Sequence, residues 1–90
     1  MRIEWDPAKA EENRRKHGID FADASRVLSD PFALSREDIQ AEGEQRFVAL
    51  GMDRLGRILV VVYTYRGNHA RLISARRATR KERASDEDTQ

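Results

Sequence analysis

The hydrophobic pattern is densest in the run Ile58–Tyr65, which is apolar or aromatic at every position except Thr64. Ile58, Val60 and Val62 fall on one alternating face, and Leu59, Val61, Tyr63 and Tyr65 on the other. A strand that is apolar on both faces is covered on both sides, so this run is predicted to lie at the centre of the fold. Gly67 and Asn68 follow, two residues that tolerate positive φ, and they predict a tight hairpin. The returning run, Ala70–Arg76, alternates Leu72, Ser74 and Arg76 against Arg71, Ile73 and Ala75. Upstream, Arg46–Met52 alternates Val48, Leu50 and Met52 against Phe47 and Ala49, and Gly56 marks a turn within Asp53–Arg57. Phe32–Glu37 is a weaker strand, and the polar stretch Asp38–Gln45 reads as a loop.

The N-terminal third has a different period. Arg2–Trp5 is a short strand with Ile3 and Trp5 on one face. Asp6-Pro7 then offers an N-cap residue and a proline at the first helical position. Pro7–His17 has good helix formers but a thin apolar stripe of Ala8 and Ala10, so it either lies on the surface or rests on its neighbours through small side chains; Gly18 ends it. Phe21, Ala24, Val27 and Leu28 recur at helical spacing after Asp20, and Asp30-Pro31 closes this second helix. Thr79 and Glu82 have capping-box spacing and predict a C-terminal helix running into the acidic tail 84–90. The order is β-α-α-β-β-β-β-α: one α+β domain over residues 1–90, with helices on a small antiparallel sheet.

Charge sharpens this picture. The formal net charge is only +1, but residues 46–83 hold 10 basic and 2 acidic residues, against 7 and 11 in residues 1–45. The basic residues of the C-terminal half are almost all arginine, whose planar fork matches phosphate oxygens. This asymmetry points to a polyanion, most simply nucleic acid; the alternative is a solvated basic face that serves solubility. Ninety residues suit one small core, and the absence of cysteine leaves no disulfide or thiolate zinc site. The start of the chain carries no apolar signal region and no run spans a membrane, so a cytoplasmic location is expected.

Arg46, Arg66, Arg71, Arg76, Arg77, Arg80 and Arg83 are near enough in this order for several to share a surface. Tyr63 and Tyr65 would stack on bases if exposed, although tyrosine in a central strand more often belongs to the core. Metal-free RNA cleavage needs a base for the 2′-hydroxyl, charge stabilisation at the phosphate and an acid for the leaving 5′-oxygen. Arginine supplies the second; His17, His69, Glu42, Glu44 and Glu82 are the candidates for the others. His17 ends a helix, where a cation is also favoured for structural reasons, and His69 reads as an exposed turn residue. No metal-site spacing is present, and Ser74 has no visible triad. Charge alone leaves cleavage and plain binding both open.

The chain resembles the BrnT family of bacterial toxins, which are similar to RelE-like ribonucleases. The residues that carry the match are Glu4-Trp5-Asp6-Pro7-Ala8-Lys9-Ala10, Asn13, Lys16-His17-Gly18-Ile19, Phe21, Ala24, Val27 and Asp30-Pro31. Glu44-Gln45-Arg46-Phe47, Gly51, Gly56-Arg57, Val61-Val62-Tyr63-Thr64, Arg66, Arg71 through Ala78 and Glu82 complete it, in order over nearly the whole chain. The resemblance implies a RelE-like fold and metal-independent RNA cleavage that stops translation, with no cofactor. It implies a ribbon-helix-helix antitoxin similar to BrnA, with operator DNA bound only through that antitoxin. By position, it implies that Arg66 and Arg76 hold the scissile phosphate and that Arg46 and Lys16 assist. His17 and Glu44 become acid–base candidates, and Arg71, Arg77 and Arg80 RNA contacts. The family's common tyrosine near the end of the last helix, and its histidine in the loop before Arg46, have no counterpart here.

Overall fold

In a computed structural model, residues 2–89 are described, with side chains through Ala84. The elements are β1 (Arg2–Glu4), α1 (Pro7–His17), α2 (Phe21–Ala24), a 3-10 helix (Ser25–Ser29), β2 (Leu34–Asp38), β3 (Arg46–Met52), β4 (Ile58–Arg66), β5 (His69–Arg77) and α3 (Arg80–Thr89). The strands form one sheet in the order β1-β5-β4-β3-β2, with the apolar run β4 in the middle. The expected all-antiparallel sheet is corrected on one point. β1 lies parallel to β5, so the sheet is mixed. The cause is the connection: β1 leads into helices rather than a hairpin and joins the free edge of β5 in the same direction. The second helix is also shorter than expected, a single turn that tightens into 3-10 geometry.

Local chemistry explains the borders. Asp6 Oδ1 accepts from the Ala8 N–H at 2.9 Å, Pro7 opens α1, and Gly18 at φ +72° donates to the Arg14 carbonyl at 2.8 Å. The β4–β5 hairpin turns on Gly67 and Asn68, but only Gly67 has positive φ, at +60°. That is the II′ pattern, which needs glycine at the first central position alone. The acidic-tail expectation falls on side chains outside the described residues.

The sheet has two unlike faces. α1, α2 and the 3-10 helix cover one, burying Ile19, Phe21, Ala24 and Val27 against Ala49, Leu59, Val61, Tyr63, Ala70, Leu72 and Ala75. Ala10 packs against the edge of this core, as a small-residue stripe allows. The next turn of α1 adds Asn13, which is buried and polar. β1 pairs only with His69–Arg71, so the rest of that β5 edge lacks a strand neighbour. Asn13 takes its place: Nδ2 donates to the Ala75 carbonyl at 2.9 Å and to the Ile19 carbonyl at 3.0 Å, and Oδ1 accepts from the Ala75 N–H at 3.0 Å. A side-chain amide thus satisfies strand groups that burial would otherwise leave orphaned.

The other face is only partly covered. α3 crosses it at the end away from the hairpin. Beneath lies an open groove of about 330 Å³ lined by Leu34, Val48, Leu50, Val60, Arg36 and Glu82.

Candidate nucleic-acid interface

The partly covered face carries the arginines, and a bulge puts two of them there. In a regular strand Arg71 and Arg76, five residues apart, point to opposite sides. In β5 they do not. Val62 lies opposite Ser74, yet Tyr63 lies opposite Leu72, so Ile73 is an extra residue. The expected alternation therefore fails here: Leu72 and Ala75 both enter the core, and Arg71, Ser74 and Arg76 fall on the other face.

The register gives the layout. Nearest the hairpin, Arg66, His69 and Arg2 are neighbours across β4, β5 and β1. In the next row Asp38 is opposite Arg46, Thr64 is opposite Arg71, and Arg71 is opposite Glu4. Thr64 Oγ1 donates to the Gln45 carbonyl beside Arg46, which ties the two halves of this row together. Two rows further, Arg76 stands beside Val60 and Leu50. Arg46, Arg66, Arg71 and Arg76 thus share one face.

Their partners differ. Arg66 donates to Glu44 Oε2 at 3.1 Å, an ion pair in which both side chains are largely exposed. Arg71 approaches Glu4 only to 3.9 Å. Arg46 Nε is buried and has no hydrogen-bond partner among the described residues. Arg76 grips Glu82 with both terminal nitrogens, at 2.8 and 2.9 Å. Glu82 also accepts from the Thr79 N–H at 2.8 Å and donates its own N–H to Thr79 Oγ1 at 3.2 Å, which closes the capping box. The Arg76 guanidinium, then the Thr79 N–H, hold the Glu82 carboxyl down to about 2, and the pairing raises Arg76. A carboxylate so placed is a poor general base.

The remaining predicted residues lie elsewhere. Lys16 and His17 are exposed at the end of α1 and border a small cleft with Asn13, Ile73 and Ser74 on the β5 edge. Arg77 is exposed opposite Leu59 and borders a second cleft with Arg57 and Arg83, at the far end of the sheet from the hairpin. Arg80 is exposed at the start of α3. Tyr63 is buried against Phe47, at 5.6 Å between ring centroids, while Tyr65 is half-exposed. Both belong to the helix-covered side. Among the described residues no three His, Cys, Asp or Glu side chains gather as a metal-holding group, and no helix is long and apolar enough to cross a membrane.

His69 departs from expectation. It is the first residue of β5 rather than a free turn residue, and it is half-buried. Its neighbour Ala70 is fully buried in the core, so alternation puts the imidazole on the arginine face. Its Nδ1 is buried and has no hydrogen-bond partner among the described residues. The sequence carried a signal for this: His69 sits one residue before the first core position of the returning strand.

Fold and face define a class: a small α+β domain whose sheet has one helix-covered apolar side and one arginine-bearing side. Residues 5–82 match the family described as "Ribonuclease toxin, BrnT, of type II toxin-antitoxin system". The chain belongs to the BrnT family of type II toxins. It is similar to the Brucella abortus ribonuclease toxin BrnT, whose crystal structure matches with a TM-score of 0.66 at 30% identity, covering 89% of this chain and 99% of that one. No curated protein matches it. Membership of a type II family implies an antitoxin partner.

Proposed function

We propose that this chain is the toxin of its pair, a single-domain endoribonuclease that cuts RNA without metal and stops translation in the cytoplasm. The carrying observation is the gathering of Arg46, Arg66, Arg71 and Arg76 on one sheet face. Guanidinium groups there would bind the RNA backbone and stabilise the charge that develops on the attacked phosphate. In this reading Arg66 holds the scissile phosphate with Arg46 and Arg71 from the next row. Arg76, three rows from Arg66, is too far along the sheet to share that phosphate and holds the chain further on, and Lys16, Arg77 and Arg80 extend contact beyond the face. The antitoxin is a ribbon-helix-helix protein similar to BrnA, and operator DNA is reached only through it. A RelE-like relationship would place the same chemistry on a related fold.

Two experiments test this. Induced alone in bacteria, the protein should arrest growth and bulk translation; normal growth at good soluble expression argues against a toxin. Purified protein should cut RNA in EDTA.

A second reading has one observation in its favour. Two of the three acidic candidates, Glu44 and Glu82, are engaged by arginine. A face with no free base would bind RNA or an acidic protein without cutting, and RNA retention without products in EDTA would select it.

A further inference from the structure

We propose that His69 is the general base of RNA cleavage, taking the 2′-hydroxyl proton through Nε2. The proposal rests on the ribonuclease reading above and gives it the proton-moving group that the sequence left open.

Three observations carry it. The first is position. His69 shares its row with Arg66 on β4 and Arg2 on β1, and Arg46 and Arg71 occupy the next row of the same face. A phosphate held by Arg66 and Arg71 therefore brings its ribose beside the imidazole. The second is the state of the ring. Among the described residues His69 makes no side-chain hydrogen bond, and Nδ1 but not Nε2 is a buried, unpartnered atom, so the nitrogen left open to a ligand is Nε2. Arg46 Nε, on the same face, is also buried and unpartnered. Buried polar atoms are nearly always paired, so two such atoms on one surface set this part of the face apart from the rest of the sheet. The third is elimination. Glu82 is chelated by Arg76 and capped by Thr79, His17 lies at the end of α1 beside the β5 edge, and Glu42 and Glu44 are exposed in the loop before β3, off the strands that carry the arginines.

The step balances without a metal. Nε2 accepts the proton as O2′ bonds to phosphorus and the P–O5′ bond breaks, giving a 2′,3′-cyclic phosphate. Water protonates the departing 5′-oxygen, and His69 then returns its proton to solvent. Arg66, Arg71 and Arg46 stabilise the phosphorane charge. The charged groups around the imidazole are Arg66 and Arg2 in its own row, Arg46, Arg71, Asp38 and Glu4 in the next, and Glu44 through its bond to Arg66.

The test uses the full chain, purified from its antitoxin complex, and a labelled RNA in EDTA from pH 5 to 9. Wild-type cleavage should rise with pH, as a step that needs an unprotonated base does. His69→Gln should cut at least about 100-fold more slowly and lose that rise, while RNA retention on a filter stays within about threefold. His69→Asn, which keeps an amide group at the Nδ1 position, should show the same loss. It serves as the second variant should His69→Gln melt early. A merely structural role would lower melting temperature and RNA retention and keep the pH dependence. Either variant cutting within about threefold of wild type with the same pH profile overturns the assignment and leaves the ribonuclease reading standing. A wild-type protein that binds RNA and never cuts it overturns both.

Discussion

Arg57 and Arg66 are the same residue type close to the two ends of one strand, and they do opposite things. Arg57 closes the β3–β4 turn. It donates Nε and a terminal nitrogen to Asp53 Oδ2 at 2.9 and 2.7 Å, and the Asp53 carboxylate is completely buried. Asp53 Oδ1 also accepts the Leu55 and Arg57 N–H groups at 3.0 and 2.8 Å, and Asp23 on α2 accepts from Arg54 at 2.8 Å. This carboxylate has a partner at every lone pair the turn needs to satisfy. Arg66 instead reaches out from the hairpin to an exposed Glu44, and in the next row Arg71 stands 3.9 Å from Glu4. What separates a structural arginine from an available one is the burial of its partner. A desolvated, fully bonded carboxylate is costly to strip, whereas an exposed pair is worth little and yields to a phosphate.

The sharpest way to break this comparison is Asp53→Ala. It leaves Arg57 and two turn N–H groups without their acceptor, and should cost about 4 kcal/mol, lowering the melting temperature by roughly 15–25 °C. A drop of a few degrees would show that the turn holds without it. Arg66→Ala should do the reverse: RNA cleavage falls about 100-fold, or about 2.7 kcal/mol of transition-state stabilisation, while stability moves by less than about 1 kcal/mol. If Arg66→Ala melts like Asp53→Ala, the division into structural and available arginines fails.

Asn13→Ala tests whether buried fastening needs charge at all. Ala75 loses a buried side-chain partner on both its N–H and its carbonyl, so a loss of about 2 kcal/mol is expected in a denaturant titration.

Arg76 lies between the two extremes, gripped by a half-exposed Glu82. Because Glu82 is held at about 2 when folded, against an ordinary 4.5, its contribution is fully present above pH 4.5 and disappears as pH falls toward 2. After allowance for solvent screening this amounts to about 1 kcal/mol. Glu82→Gln should flatten that acid dependence, read as melting temperature against pH. An unchanged acid limb would mean that the bidentate pair is not held in solution.

Much of the frame was legible from local rules. The β3 borders follow from alternation, the ends of α1 from Asp6, Pro7 and Gly18, and the start of α3 from the spacing of Thr79 and Glu82. Each depends on residues within a few positions of one another. The parallel pairing of β1 was not legible, because nothing in three residues says which edge they will join. Nor was the role of Asn13, whose partner Ala75 lies 62 positions away. The candidate face was half legible. Its arginines stand out in composition, but Asp53 gives no sign in the sequence that it will claim Arg57 and leave Arg66 to an exposed partner.

The sequence by itself determined the order of elements along the chain, the centrality of β4 and the concentration of guanidinium groups in the C-terminal half, since propensity, capping and hydrophobic period act over short range. Which way those groups point was decided by tertiary structure. One extra residue at Ile73 shifts the phase of β5, because Leu72 and Ala75 must both reach the core beneath the helices while β4 stays regular. Packing sets that shift, which carries Arg71 and Arg76 to one face and leaves His69 among them.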